Sequence, residues 1–455
     1  MQAIMPWISI VILIATGYFL VKRMQTHMVL LLSGFVLLLI AIAFGVTNFM
    51  PKGIKPTGFV GFDLFRLLEA ISTKQVSGIG FLIMTAGGFA GYMDKIGAAK
   101  ALVNICTTPL KRLSQPYLVL VLGYLIGQVL VGVIPSAAGL AMLLLVALFP
   151  ILKGVGVSPA AAAAVIGTSA GVTFSPTAGT ANLAAKTAGL EPVEYLVGYQ
   201  LPIAIAVLIA VAIAHYFVQK YYDKRNDDVY SEAVVKSVDA PDAPAWYAIF
   251  PVLPIALMII FSKLVYSAVK LDTVSALLLV WVCVVLIELV RWKDPKKVFG
   301  DAIVFYKKMG SMFASIVALI ICAEFFATGL KATGLVALLI DSANGVGLGL
   351  GGMTTVLTAI VGAVTFITGS GVGAFSSFAA LAPEVAQALG GTAAALVTPM
   401  QFASGIIRAM SPVAGVIIAV SAAAGVTPMA IVRRTWIPMM IGMAVTLVAD
   451  WVLFM

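Results

Sequence analysis

The chain carries one short motif twice, first as Ser175-Pro176-Thr177-Ala178-Gly179 and again, 236 residues later, as Ser411-Pro412-Val413-Ala414-Gly415. A second motif keeps the same order: Pro135-Ser136-Ala137-Ala138-Gly139 corresponds to Gly369-Ser370-Gly371-Val372-Gly373, with the central serines 234 residues apart. Several landmarks in one order at nearly constant spacing indicate an internal repeat. Two further pairs keep this register, namely Ala188-Gly189-Leu190-Glu191-Pro192 with Ala424-Gly425-Val426-Thr427-Pro428, and Pro202 with Pro438.

The composition around these motifs is that of a membrane protein. Of the 455 residues, 62% are hydrophobic and 10% are charged, against about a quarter charged in soluble domains. Apolar stretches close to the roughly 20 residues that cross a bilayer recur along the whole chain. They include Ile8–Leu20, Met28–Phe44, Leu201–Phe217, Ile249–Phe261 and Ser275–Leu289. We therefore predict an all-α polytopic membrane protein, which excludes a soluble enzyme.

The repeated motifs break helices within apolar segments, where exposed backbone groups are tolerated only when they are buried in protein or face water. Each Ser136 or Ser370 motif is predicted at the tip of a re-entrant hairpin, and each Ser-Pro motif at an unwound point in the next helix. Paired interruptions in two halves indicate a transporter's binding site. The alternative is helix packing by small residues without a ligand. The predicted ranges are 1–221 for the first repeat (hairpin about 118–152, broken helix about 158–190), 222–245 for a cytoplasmic linker, and 246–455 for the second repeat (hairpin about 354–389, broken helix about 392–424).

The charges orient this arrangement in the membrane. Five transmembrane helices and one hairpin per repeat make the second repeat inverted relative to the first. With both termini on the outer side, 19 of the 28 lysines and arginines fall on the cytoplasmic side, as the positive-inside rule requires. The net charge of +9 is thereby explained without a nucleic-acid partner. The lipid bilayer is the partner that the composition itself predicts.

A set of motifs is spread over the chain almost from end to end: Gly88-Phe89-Ala90-Gly91-Tyr92-Met93, Ile96-Gly97-Ala98, Gly139-Leu140 with Leu148-Phe149-Pro150, Tyr222-Asp223-Lys224, Ala243-Pro244-Ala245-Trp246-Tyr247-Ala248-Ile249, Thr368-Gly369-Ser370-Gly371, and Arg408 with Ser411-Pro412-Val413. These motifs resemble those of the anaerobic C4-dicarboxylate carriers of the DcuC type. The resemblance implies a bacterial inner-membrane carrier that exchanges or takes up fumarate, succinate, malate or aspartate. It also implies a homodimer with an elevator mechanism, in which a transport domain moves past a scaffold. Where the family pattern has Asn-Ala-Pro, this chain has Val372-Gly373-Ala374, and Pro135 replaces a serine.

Arg408 is the leading candidate for binding the substrate. A guanidinium in an apolar helix is costly and commonly marks a substrate path, and its planar fork suits a carboxylate. The alternative is a structural ion pair with Glu324 or Asp94. The predicted substrate-binding set is Arg408, Ser136, Gly139, Ser370, Gly371, Ser175, Thr177, Ser404 and Ser411.

Glu324 and Asp94 are also candidates for carrying a coupling proton. The choice between exchange, proton symport and sodium symport stays open, as does a monocarboxylate, gluconate-like sugar acid or amino acid as substrate. A channel or an intramembrane enzyme is disfavoured, because neither a pore-lining pattern nor a catalytic set is found. No cofactor or metal site is predicted, since the three cysteines lack ligand spacing and no phosphate-binding loop is present.

Overall fold

The computed structural model describes residues 4–22, 24–51, 54–225, 243–261, 265–266, 268–345 and 347–455. Within these ranges the chain is helical, and nine helices are long and apolar enough to cross a membrane. This confirms the prediction of an all-α polytopic membrane protein. The inverted relation of the two repeats and the division into scaffold and transport domains stay predictions. Most of the linker predicted at 222–245 lies outside the described residues.

The first half of the chain forms twelve α-helices. Two of them, α3 and α4, join through the π-helical turn Val76–Gly80, and α11 joins α12 through Leu196–Gln200. The helices are α1 Met5–Val21, α2 Thr26–Ala43, α3 Val60–Gln75, α4 Phe81–Lys95, α5 Ala98–Thr107, α6 Pro116–Val131, α7 Ala137–Ala147, α8 Phe149–Gly154, α9 Pro159–Thr168, α10 Gly179–Ala188, α11 Pro192–Tyr195 and α12 Leu201–Arg225.

The second half forms a similar succession, in which α16 joins α17 through the π-helical turn Phe313–Val317. A 3₁₀ turn, Ala245–Ile249, precedes the first α-helix of this half. The helices are α13 Leu253–Ile260, α14 Thr273–Trp292, α15 Pro295–Ala302, α16 Val304–Met312, α17 Ala318–Ala332, α18 Leu335–Gly345, α19 Gly349–Thr368, α20 Gly371–Ala379, α21 Ala382–Ala388, α22 Ala393–Ile406, α23 Gly415–Ala424 and α24 Pro428–Phe454.

Both hairpin turns are held by the same serine cap. The Oγ atom of Ser136 accepts a hydrogen bond of 3.1 Å from the N–H of Gly139 at the start of α7. In the second half, Ser370 Oγ accepts one of 3.2 Å from Gly373 N–H at the start of α20. A serine in this position satisfies one of the backbone donors that a helix start leaves unpaired. The cap lets a new helix begin directly after the turn.

The helix that follows each hairpin is interrupted. Between α9 and α10 the chain leaves the helical path over residues 169–178, and between α22 and α23 it passes through the short 3₁₀ turn Arg408–Met410. Gly189 and Gly425 end the second parts with φ of +71° and +68°, a left-handed conformation that glycine adopts without steric cost. Each interruption brings loop backbone into the interior of the protein.

Two hydrophobic cores hold these parts together. One core packs the hairpin α6–α8 and helix α9 against α4, α5, α12 and α24. The other packs the hairpin α19–α21 and helix α10 against α2, α3 and α17. Each core therefore fixes one hairpin against the neighbouring long helices, and the two interruptions lie where helices from both cores meet.

Candidate functional site

The two helix interruptions contact each other directly. Gln401 Nε2, on α22, donates a hydrogen bond of 2.9 Å to the carbonyl oxygen of Thr173, in the first interruption. Gln200 donates to Gln401 Oε1 at 3.0 Å, so the two amides and the loop carbonyl form one buried cluster. The backbones are also close: a Cβ atom on Gly405 would lie 2.2 Å from the carbonyl oxygen of Gly171. Gly405 therefore permits an approach that a larger residue would prevent.

Each interruption is tied to the hairpin of its own half by the first serine of its motif. Ser175 Oγ donates a hydrogen bond of 2.6 Å to the carbonyl oxygen of Gly132, at the end of α6. Ser411 Oγ donates one of 2.6 Å to the carbonyl oxygen of Phe366, in the last turn of α19. The serines are 236 residues apart and the acceptors 234, the two spacings found in the sequence motifs. The same bond is thus made twice, and it fixes each hairpin next to an interruption.

The second hairpin also packs closely on the second interruption. A Cβ atom on Gly371, the first residue of α20, would lie 2.0 Å from the carbonyl oxygen of Ser404. Ser404 Oγ donates to the carbonyl of Gln401 at 2.6 Å, which holds this turn of α22 in place. In the first half, Thr177 bonds Ser175 at 2.9 Å between the hydroxyl oxygens. Gly371, Ser404 and Ser175 therefore belong to the contacts between hairpins and interruptions, and Thr177 bonds Ser175 within the first interruption.

Arg408 lies at the junction of the two interruptions with most of its donors free. Its Nη2 atom donates a hydrogen bond of 3.0 Å to the carbonyl oxygen of Ala170, across the junction. Its Nε atom is buried and has no hydrogen-bond partner among the described residues. Within the same ranges, Arg408 forms no ion pair: Glu324 pairs with Lys74 at 3.5 Å instead. The structural ion pair of Arg408 with Glu324 or Asp94 is thus not formed.

The hairpin serines keep a hydrogen available for a ligand. Ser136 and Ser370 each use the hydroxyl oxygen as an acceptor for the cap, which leaves the O–H of each side chain able to donate. Ser136 is exposed and Gly139 is half-buried, so the tip of the first hairpin is open to its surroundings. Arg408 and the two hairpin serines can therefore offer a guanidinium and hydroxyl donors to an anion, whereas Ser175, Ser404 and Ser411 already donate to backbone carbonyls.

The two coupling candidates lie apart from these contacts. Glu324, on α17, is 24% exposed in its side chain and is neutralised by Lys74. Asp94 is half-buried near the end of α4, and its neighbour Lys95 pairs with Asp301 at 3.2 Å. Neither carboxylate contacts Arg408 among the ion pairs of the described residues.

Sequence reasoning passed over a third acid, Asp450. It is fully buried on α24, and neither carboxyl oxygen has a hydrogen-bond partner among the described residues. Gln200, which completes the amide cluster, was missed as well. Polar residues within apolar helices were the available signal in both cases. For Asp450, its position near the end of the last helix masked that signal.

Comparisons with known proteins agree with these observations. The family model of the C4-dicarboxylate anaerobic carriers, DcuC, matches residues 5–454. The chain is 32% identical over 442 residues to the anaerobic C4-dicarboxylate transporter DcuC of Escherichia coli strain K12, covering 97% of this chain and 95% of that protein. It is 32% identical over 447 residues to the probable anaerobic C4-dicarboxylate transporter DcuC of Vibrio cholerae, with 98% and 97% covered.

Two solved structures have a similar fold. The Neisseria gonorrhoeae protein MtrF, described as illuminating a class of antimetabolite efflux pumps, superposes with a TM-score of 0.62 at 13% identity over 94% of both chains. The Alcanivorax borkumensis YdaH transporter superposes with a TM-score of 0.63 at 15% identity, covering 94% of this chain and 98% of that one. At these identities the likeness concerns the fold.

Proposed function

The chain belongs to the C4-dicarboxylate anaerobic carrier family, and from this premise we propose that it is a secondary transporter of C4-dicarboxylates such as fumarate, succinate, malate or aspartate. Membership of a family of transporters confirms that the protein is not an enzyme. The relatives that are transporters by name match it over almost their whole length. A small carboxylate is accordingly the substrate that the proposal assigns to the junction of the two interruptions.

The observation that carries this proposal is that most N–H donors of Arg408 have no partner among the described residues and can bind a substrate. Burying guanidinium donors is costly unless they are satisfied, yet the half-buried Arg408 has a buried Nε atom without a partner in the described ranges. Within the same ranges it makes a single protein hydrogen bond and no ion pair. A carboxylate can bind two of its free N–H groups side by side. The second carboxylate of the substrate would be held by serine hydroxyls and by backbone N–H groups at helix starts such as that of α20.

The finer points of mechanism are part of the proposal. The repeated serine-to-carbonyl bonds support two repeats of one design, and we propose that they are inverted, with both termini on the outer side of a bacterial inner membrane. We propose an elevator mechanism in a homodimer, in which the hairpins and broken helices move together past the remaining helices. Their mutual hydrogen bonds support movement as one unit.

The coupling step has three candidates. Glu324 is paired with Lys74 and can bind a proton when that ion pair opens. Asp94 is half-buried and therefore partly shielded from water. Asp450 is added because a buried carboxylate without a partner is costly in the ionised form. The proposal covers exchange as well as symport with protons or sodium ions.

Uptake by purified protein in liposomes tests the proposal. Labelled succinate should accumulate, and fumarate, malate and aspartate should compete with it, whereas lactate and gluconate should not. Unlabelled succinate outside should accelerate efflux of labelled succinate, which a channel does not show. Imposing sodium and pH gradients separately then distinguishes the coupling modes. Uptake of lactate or gluconate in preference to succinate would contradict the assignment of C4-dicarboxylates.

A further inference from the structure

A polar cavity that Arg408 does not line lies between α10 and the end of α3. Its volume is about 260 Å³, and α17, α20 and α21 complete its walls. Specific sites for drug-sized ligands are commonly about 300–1,000 Å³, so this cavity suits a small molecule. Three lysines and one glutamate line it, namely Lys74, Lys186, Lys331 and Glu324.

The charges in this cavity do not balance. Lys74 pairs with Glu324 at 3.5 Å, and Lys331 pairs with Glu384 at 3.2 Å. Lys186 has no carboxylate partner among the described residues. Its ammonium group donates to Gln75 Oε1 at 3.0 Å. Since an ammonium carries three donors, Lys186 keeps further N–H donors for an anion beside its bond to Gln75.

The backbone of α3 and α4 is shaped around this ammonium group. Gly78 departs from helical geometry, with φ of −93° and ψ of −116°, in the π-helical turn that joins the two helices. A Cβ atom on Gly78 would lie 3.3 Å from Lys186 Nζ. A side chain at this position would therefore crowd the ammonium group.

An unpaired hydroxyl group in the wall of the cavity points independently to a ligand. Ser376, on α20, is 4% exposed, and its Oγ atom is buried without a hydrogen-bond partner in the described part of the chain. Leaving such a buried donor unpaired is costly. A ligand that accepts from this hydroxyl would remove that cost.

We propose that this cavity is a second binding site for a C4-dicarboxylate dianion, in which Lys186 holds a carboxylate and Ser376 donates a hydrogen bond to it. The proposal rests on the proposed function, because it assigns the same substrate class to a site that the substrate meets separately from Arg408. The lysines on α3 and α17 are already paired with glutamates, so Lys186 is the cation that the proposal assigns to the ligand.

A thiol reporter in the cavity tests this site without requiring transport. Thr187, a half-buried residue of its lining, is replaced by cysteine in protein whose Cys106, Cys283 and Cys322 are replaced by alanine. Succinate at about four times its Kd should slow thiol labelling about fivefold. Sulfate at the same concentration should not slow it. Absence of slowing by succinate, or equal slowing by sulfate, would overturn a dicarboxylate site.

Variants of the reporter protein assign the effect to the named residues. Lys186→Gln should abolish the slowing, and Ser376→Ala should weaken it. Lys95→Gln removes a lysine that pairs with Asp301 away from the cavity and should leave the slowing intact. Persistence in the Lys186→Gln protein would overturn the role of Lys186.

The two sites are separated by Arg408→Ala. Slowing should persist in this variant, and its loss would show that the reporter senses Arg408 and would overturn the second site. Slowing without succinate uptake by the wild-type protein would support this site while refuting the proposed function. Succinate uptake without slowing would overturn the second site and leave the proposed function standing.

Discussion

Gly371 provides a quantitative test of how the second hairpin meets the broken helix. In Gly371→Ala, the new Cβ atom would lie 2.0 Å from the carbonyl oxygen of Ser404, where ordinary van der Waals contact begins at 3.4 Å. The hairpin or α22 must therefore move by about 1.4 Å. Overpacking of this kind costs roughly 1–3 kcal/mol, and a backbone neighbour places the cost near the upper end.

The expected result is a loss of transport larger than the loss of stability. A misplacement of about 1 Å in a binding constellation can cost about 100-fold in rate, so succinate uptake should fall at least about tenfold while the protein still inserts into the membrane. Gly371→Val should be worse. The assay is initial uptake in liposomes, normalised to reconstituted protein, beside the melting temperature of the purified variant.

Two comparisons make this result specific. Gly310→Ala is the matched control, because nothing lies within 4 Å of its added Cβ atom, and it should transport normally. Ala137 occupies the place in the first hairpin that Gly371 occupies in the second, so a Cβ atom at this position is not harmful in itself. Wild-type uptake and melting by Gly371→Ala would refute the close contact with Ser404.

Three further predictions concern topology, a buried ion pair and coupling. A cysteine at Lys270 should react with an impermeant thiol reagent added to intact cells, and one at Asp294 should be shielded; the opposite pattern would reverse the orientation. Arg434 is buried and pairs with Asp223 at 2.7 Å, so Arg434→Met should destabilise the purified protein by about 3–5 kcal/mol, and an unchanged urea midpoint would contradict this. Asp450→Asn should preserve folding and, if Asp450 carries the coupling proton, should abolish acceleration of uptake by a pH gradient; retained acceleration would exclude Asp450.

The interruptions of the helices are predicted from signals that are local in the sequence. Proline and glycine act on the local backbone, and a serine before a helix start caps it through a neighbouring N–H. The residues that surround Ser136 and Ser370 therefore indicate turns without knowledge of the tertiary structure. The repetition of the same signals in both halves distinguishes them from the many other glycines and serines of the chain.

Contacts between distant segments could not be predicted in the same way. The sequence offers Glu324 as a partner for Arg408, yet Lys74 is the cation that the packing of α3 on α17 brings to Glu324. The acceptor of Ser175 is a backbone carbonyl, which carries no residue-specific signal in a sequence. Among the described residues Lys186 has no carboxylate partner, and this likewise depends on where Lys74, Lys331 and their carboxylates lie.

Arg408 has one structural alternative that a matched variant can separate. It bonds the carbonyl of Ala170 across the junction, so its role could be limited to joining the two interruptions. Gln401 makes a comparable uncharged bridge to Thr173. If bridging were its only role, Arg408→Ala and Gln401→Ala would lose melting temperature to a similar degree and bind succinate with similar affinity.

Succinate binding to purified Arg408 variants tests the central claim most directly. Truncating one partner of a charged contact in a dry site costs about 2–5 kcal/mol, so Arg408→Ala should weaken binding roughly 30-fold to several-thousand-fold. Arg408→Lys, which keeps the charge without the planar fork, should lie between this variant and the wild type. The Gln401→Ala protein should bind much more tightly than Arg408→Ala. Wild-type affinity in a folded Arg408→Ala protein would contradict the claim that Arg408 binds the carboxylate.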